Sequence, residues 1–300
     1  MSDRRHVNHI SQVLIHHTLR LSLLCGVLAL LPCAIAQAAM TIDAEVAYTT
    51  DNNVTRAEFE SDILHDQFFT VAAGLNYLQW LNSNNRLVYR GFVRGESYRK
   101  YDGLSNVTAG GSVTYQYRES GAFLAPTYGA FFKAAIAEYQ SDIRDSNLYS
   151  LGISWRKPFT DRIGLTTILA GNLRDSDSTV FDTKEISLLL NLDYEITSRM
   201  TMYATYNYLN GDIVSTSVYV TSPRLKFVNN ADAINADDAF ASGAVAYRLK
   251  ATTHVVTLGT NFKLADQHSL DFSGRYVDSQ ATAGITYKKM QFSLAYLARF

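Results

Sequence analysis

Period-two alternation runs through this chain from end to end, and a chain so patterned has few ways to fold. Twelve segments place apolar residues at every second position, with smaller or polar residues between them. They are Ile42–Thr49, Phe69–Tyr77, Arg86–Arg94, Gly111–Arg118, Thr127–Ile136, Tyr149–Arg156, Ile163–Ala170, Glu185–Glu195, Met200–Tyr208, His254–Leu264, Ser269–Tyr276 and Met290–Phe300. Successive side chains of a strand point to opposite faces, so each segment reads as a strand with one greasy and one wetter side. The connections alternate too. Short turns (Asn82–Asn85, Glu119–Gly121, Pro158–Arg162, Thr197–Arg199, Ala265–His268) follow the even segments. Longer polar loops (Thr50–Gln67, Arg99–Asn106, Gln140–Ser146, Asp175–Thr183 and about Gly211–Thr253) follow the odd ones, and only Asp278–Ala283 is short.

Short turns on one side and long loops on the other, with both termini on the short-turn side, describe a sheet that threads back and forth across a layer. In hydrocarbon every backbone N–H and C=O must be paired, so spanning strands must close into a ring. The apolar faces of several strands end in Tyr77, Tyr117, Trp155 and Tyr194 at the turn side, where amphipathic rings would mark the lipid–water boundary. The predicted fold is all-β: a transmembrane antiparallel β-barrel of about twelve strands, an up-and-down meander. The longest connection is expected to project as an extended hairpin.

The last segment, M-Q-F-S-L-A-Y-L-A-R-F, sets Met290, Phe292, Leu294, Tyr296, Ala298 and Phe300 on one face. It resembles the C-terminal assembly signal of Gram-negative outer-membrane β-barrel proteins, in which a terminal Phe heads a row of alternating hydrophobic residues. The resemblance implies Phe292, Leu294, Tyr296 and Phe300 as the assembly signal, the barrel-assembly machinery as a partner, and a place among outer-membrane lipid and lipopolysaccharide. The sequence departs from that pattern at Ala298, where the family more often has an aromatic. The stretch A-Y-T-T-D-N-N-V-T-R-A, Ala47 to Ala57, also looks like the opening of barrels encoded near exopolysaccharide-synthesis systems.

Residues 1–38 read as a signal peptide, leaving residues 39–300 as one barrel domain. Arg4, Arg5 and Arg20 precede an apolar run from Leu21 to Leu31, and Ala36-Gln37-Ala38 fits a cleavage motif. Both cysteines, Cys25 and Cys33, lie there, so no disulfide or thiolate metal site is expected in the mature chain. Removing the segment takes away three arginines and one aspartate, leaving 24 basic against 27 acidic groups and a net charge of −3. That balance does not suggest nucleic acid as a partner. The first strand begins close to the cleavage motif, so no plug of the siderophore-receptor kind is expected ahead of the barrel.

The inward face is where solutes would be read. The register sends Arg86, Arg90, Arg94, Arg118, Lys133, Arg156 and Arg174 inward on one wall, with Glu96 among them. Asp43, Glu45, Glu185, Asp193 and Glu195 face inward from the first and eighth strands. Charged rings of this kind set solute preference in a water-filled pore, and they pair into a filled core in a narrow barrel. The pore-lining candidates are Arg86, Arg90, Arg94, Arg118, Arg156, Glu185 and Asp193. The planar guanidinium fork suits carboxylate or phosphate, which makes small anionic saccharides candidate solutes. No cofactor or metal site is expected. The acidic loop groups Asp142/Asp145, Asp175/Asp177/Asp182 and Asp232/Asp237/Asp238 lack the spacing of a dedicated calcium loop. An enzymatic reading is weak. His65 with Asp51, Asp62 and Asp66 loosely resembles the His-Asp arrangement of omptin proteases, and no G-x-S-x-G motif is present. Two functions remain open: a passive outer-membrane channel, and a non-conducting accessory barrel of polysaccharide export or envelope structure whose long loop meets a partner.

Overall fold

The computed structural model describes residues 39–119, 121–218 and 229–300. Residues 1–38, where the signal peptide is expected and where Cys25 and Cys33 lie, are outside them. The strands are β1 (Ala39–Asp51), β2 (Asp66–Trp80), β3 (Asn85–Tyr98), β4 (Asn106–Arg118), β5 (Thr127–Tyr139), β6 (Ser146–Pro158) and β7 (Ile163–Ser176). They continue as β8 (Thr183–Thr197), β9 (Met200–Ser217), the short β10 (Ala233–Ala236), β11 (Val245–Ala265), β12 (His268–Ala281) and β13 (Thr286–Arg299). Consecutive strands pair antiparallel except β9 and β10; β9 pairs instead with β11, and β13 returns to β1. Twelve strands therefore close the wall, while β10 adds to the free upper edge of β11.

The seam lies where the first and last strands meet. Ile42 and Phe300 exchange backbone hydrogen bonds of 2.8 Å in both directions, and the register runs from Asp43↔Arg299 to Asp51↔Gln291. Closure leaves no unpaired edge, which a sheet facing hydrocarbon cannot tolerate. The outer face is apolar: Ile42, Val71, Leu151, Ile153, Ile186, Leu258 and Phe292 are all exposed there. Aromatic rings gather toward the short turns, with Tyr77 against Tyr89, Tyr117 against Tyr128 and Phe262 against Phe272.

The departure at Ala298 has a local cause. His268, cross-strand from Ala298, stacks on Tyr296 at 5.8 Å and meets Phe300 edge-on at 5.9 Å. Its Nδ1 also lies 2.8 Å or less from the Tyr296 hydroxyl, at 2.7 Å. The imidazole occupies the space that an aromatic at 298 would need.

The strands run further upward than their alternation predicts, most of all β9 and β11. Alternation marks a strand with one face in lipid and one in water, and it fades where both faces are covered by protein. Asp212, Ile213, Ser215, Thr216 and Ser217 are consecutive or nearly so, and all are buried. Ile213, Tyr247, Leu249, Val277, Ile285 and Tyr287 form an apolar cluster inside the top of the barrel, with Phe59 packed against it. Val214, Ala246 and Ala233 pack on the other side against Val180, Phe181 and Ile143.

The long connection does not project. The expected extended hairpin is present, with β9 and β11 paired from Gly211↔Ala251 to Ser217↔Val245, but its described parts, 211–218 and 229–250, fold over the mouth of the barrel and contact its other loops. At Gly211 the strand β9 parts from β8, and a Cβ there would collide with the Lys184 carbonyl oxygen. Farther out, Ala239 reaches the β3–β4 loop so closely that a Cβ on Gly103 would lie 2.6 Å from the Ala239 Cα. In the twelve-strand ring that loop is halfway round from the β9–β11 connection by either route. The hairpin thus spans the mouth.

Candidate functional site

The lower lumen is built by the inward positions of the strands. Arg90 forms a two-pronged ion pair with Asp43, at 2.7 and 3.0 Å, and donates to Asn76 Oδ1 at 3.0 Å. The guanidinium lies where a Cβ on Gly74 would be, 2.6 Å from it, so the glycine lets Arg90 reach across β2. Arg94 donates from Nε to Glu96 at 2.9 Å, and Arg86 to Gln116 at 2.7 Å. Arg86 also lies over the Trp80 ring at 5.3 Å. Each of these partners sits on the same strand or on a nearby strand of the same wall. The side chains of Arg90 and Arg94 remain 40% and 43% exposed despite their pairing.

The other pore-lining candidates divide by height. Arg118, the last residue of β4, turns its guanidinium onto the turn carbonyls of Ala122 and Phe123 at 2.8 and 3.2 Å. Arg156 is exposed and shares a cross-strand row with it through Thr127. Both belong to the rim of the barrel that carries the short turns. Asp193 accepts from Asn191 at 2.8 Å on its own strand. Glu185 stands higher, accepting from Asn172 at 3.2 Å. Asp43 is drawn into the basic wall by Arg90 and does not extend an acidic one.

Above these residues and under the hairpin lies a covered vestibule of about 760 Å³. Its charged lining includes Arg56, Lys133, Arg174, Glu185, Arg275 and Lys289. Lys289 is paired with Asp51, both nearly buried, and Asp51 also accepts from Gln291 and the Asn53 backbone. Arg174 donates to the Arg144 carbonyl at 2.7 Å and to Ser176, and lies 5.2 Å from the Tyr139 ring. Lys133 lies over the Phe92 ring at 4.8 Å.

Arg56 enters this space from the first loop by an unusual backbone. Its φ of 53° is left-handed, a conformation that costs a residue with a Cβ about 1–2 kcal/mol. A knot of hydrogen bonds holds the bend. Asn53 accepts from the Ala57 backbone and the Thr55 hydroxyl, and donates to the carbonyls of Ala57 and Lys288. Thr55 donates to the Asp62 carbonyl at 2.7 Å. Asp51, Asn53, Thr55 and Arg56 all lie in the stretch Ala47–Ala57, which the sequence marks by its likeness to other barrels. Their work in shaping the vestibule was not predicted, because a loop that folds inward has no periodicity to announce it.

The lid is fastened by side chains. Arg144, in the β5–β6 loop, donates to both oxygens of Asp237 at 2.7 Å, where Asp237 is fully buried and Arg144 nearly so. Thr216 donates to the same carboxylate at 2.6 Å. Ser141 bonds Asp238, Asn235 donates to Ser178, and Ser217 donates to Asp62. Arg144 also lies over the rings of Phe181 and Phe240. Four of the eight acidic loop residues are therefore fasteners or turn brackets: beside Asp237 and Asp238, Asp145 accepts from the Tyr139 backbone and Asp182 from that of Ser176. Burial pushes the Asp145 carboxyl above its ordinary range. No group of metal-binding residues occurs among the described residues.

His65, Asp51 and Asp66 do line one shallow outer cleft of about 330 Å³. Their geometry is not that of a paired His and Asp. Asp51 is committed to Lys289, and Asp66 brackets the backbone N–H groups of Gln67, Lys100 and Tyr101. His254 points outward and bonds the Tyr206 hydroxyl at 2.8 Å.

No family model matches the chain, and no curated protein matches it. Among solved structures it resembles the COG4313 outer membrane channel from Pseudomonas putida F1, at 12% identity and a TM-score of 0.56, covering 89% of this chain and 97% of that one. Looser overlaps include the TodX monoaromatic hydrocarbon channel deltaS2 mutant (10% identity, 89% and 90% covered, TM-score 0.45). The KdgM porin in complex with disordered oligogalacturonate is another (11%, 87% and 99%, TM-score 0.41). At such identity the likeness to the Pseudomonas channel is one of fold. With its closed seam, apolar outer belt and aromatic rim, the chain has the fold of an outer-membrane β-barrel.

Proposed function

We propose that this barrel is a passive channel for small hydrophilic solutes, anions preferred, and that it carries out no chemistry on them. The supporting observation is the state of the basic row. Arg90 and Arg94 are paired along the wall yet 40% and 43% exposed, which leaves their guanidinium groups facing an open interior. A row of fixed positive charge in a lumen walled by low-dielectric protein and lipid raises the local concentration of anions. Arg86, held over Trp80, extends the row toward the periplasm, and Arg118 and Arg156 add charge at that rim. Small anionic saccharides fit this wall, because a guanidinium fork matches a carboxylate.

Single-channel conductance of the refolded mature chain in a planar bilayer tests this reading. Discrete conductance with anion selectivity is expected, and the selectivity should fall in Arg86→Ala/Arg90→Ala/Arg94→Ala. Silence from a folded, heat-modifiable barrel would overturn it.

A second reading draws on the lid. A hairpin laid across the mouth and fastened to four loops is also what a non-conducting barrel of polysaccharide export or envelope structure could use to present a fixed surface to a partner. Silence in the bilayer would favour it.

A further inference from the structure

We infer that the vestibule beneath the hairpin is a binding chamber for one small carboxylate-bearing sugar, with Arg56 as the residue that receives the carboxylate. This deepens the channel reading by naming a solute class, and it rests on that reading for the route the solute takes. The vestibule's volume, its charge, the state of Arg56 and its free acceptors carry it. The volume, about 760 Å³, lies within the range of small-molecule sites, roughly 300–1,000 Å³. Positive charge exceeds negative in its lining: Arg56, Lys133, Arg144, Arg174, Arg275 and Lys289 stand against Asp51, Glu96, Glu185 and Asp212.

The acids, moreover, are mostly occupied. Asp51 is taken by Lys289, Glu96 by Arg94 and Asp212 by Lys250, which leaves Glu185 as the lining carboxylate whose charge acts on Arg56, without forming an ion pair with it. Arg56 is exposed within the covered space, and no ion pair joins it to any described residue. A backbone held in the left-handed region by the hydrogen bonds of the Asn53 amide with Ala57 and of the Thr55 hydroxyl with the Asp62 carbonyl keeps it there. Backbone strain maintained by surrounding structure is a mark of functional positions.

The remaining lining suits the hydroxyls of a sugar ring. Glu185 has a single described donor, the Asn172 amide at 3.2 Å, and so keeps accepting capacity. Asn207 Oδ1 is buried without a hydrogen-bond partner and belongs to the same lining. A hexuronate would thus find a guanidinium for its carboxylate and acceptors for its hydroxyls. A neutral hexose would find the acceptors and leave Arg56 unused.

Equilibrium binding, independent of conduction, tests the chamber. The refolded mature chain in detergent would be titrated calorimetrically with glucuronate and, separately, with glucose. Glucuronate should bind saturably and glucose far more weakly. Arg56→Asn removes the charge with a residue that tolerates the left-handed backbone, and should weaken glucuronate by about ten- to a hundredfold, the loss of one charge-assisted hydrogen bond. Arg56→Gly relieves the strain and should raise the melting temperature while also losing binding. Arg56→Lys, a point charge without the fork, should fall between. Equal glucuronate binding by wild type and Arg56→Asn, equal binding of the two sugars, or no binding by a folded wild type would each overturn the chamber. Conductance without binding would leave the channel standing and remove the chamber, and binding by a silent barrel would do the reverse.

Discussion

The barrel wall closes where Ile42 and Phe300 exchange two backbone hydrogen bonds, one rung of a ladder that continues to Asp51. The mouth closes where Arg144 meets Asp237, a side-chain pair between residues 93 apart in the chain, with Thr216, Ser141 and Asn235 adding single bonds nearby. The two closures differ in kind. In the wall every residue contributes the same backbone groups, so many sequences would serve and no single side chain is essential. In the lid a few specific side chains do the fastening, and the interior they cover joins the apolar cluster around Leu249 to a charged vestibule. A ladder of that type resists opening because its lost bonds have no water to turn to. A lid held by a handful of groups can open as a unit when one is removed.

Single substitutions should separate the two regions. The largest effect belongs to Asp237→Ala, which strands the nearly buried Arg144 without its carboxylate. Removing one partner of a buried pair costs about 3–5 kcal/mol. The expected result is a hairpin that becomes protease-sensitive in a barrel still showing its heat-modifiable mobility shift; an equally resistant hairpin would show that the pair does not hold the lid. Next comes Leu258→Arg on the lipid face, where a cation costs about 2–4 kcal/mol near the bilayer midplane. Urea unfolding in lipid vesicles should report that loss for the barrel, with lid proteolysis unchanged at low denaturant.

Gly103→Val is a smaller perturbation of the lid. Its Cβ would press on Ala239 at 2.6 Å, and overpacking of this type costs about 1–3 kcal/mol. Protease cleavage of the hairpin should speed up less than in Asp237→Ala, and the melting of the barrel should not move. Arg90→Ala should barely affect stability, by about 1 kcal/mol or less, since its pair with Asp43 is partly exposed. Its effect should appear as reduced anion selectivity in the bilayer. A large loss of stability with unchanged selectivity would mean that Arg90 is a structural residue of the wall.

Legibility in the sequence followed the same division. The registers of β3, β6 and β8 could be read from Leu87, Tyr89 and Val93, from Leu151 and Ile153, and from Ile186 and Leu192, because lipid on one side and water on the other impose a period of two. The same parity put Arg90, Arg94 and Glu185 on the inward face. The upper halves of β9 and β11 could not be read this way, since Ile213, Ser215, Thr216 and Leu249 are covered on both sides and no face is left to alternate. Arg118 was legible as an inward position but not as a turn brace, because a guanidinium at the end of a strand can reach carbonyls beyond it.

By itself, then, the sequence determined a closed, membrane-spanning, even-stranded ring and the parity of the residues where its wall lies between lipid and water, because bilayer physics acts on each residue locally. Only the tertiary structure decided that the long hairpin lies across the mouth, that Asp237 meets Arg144, and that Arg56 enters a covered vestibule. Those pairings join loops from opposite sides of the ring, and their geometry exists only once the ring has closed and brought the loops within reach.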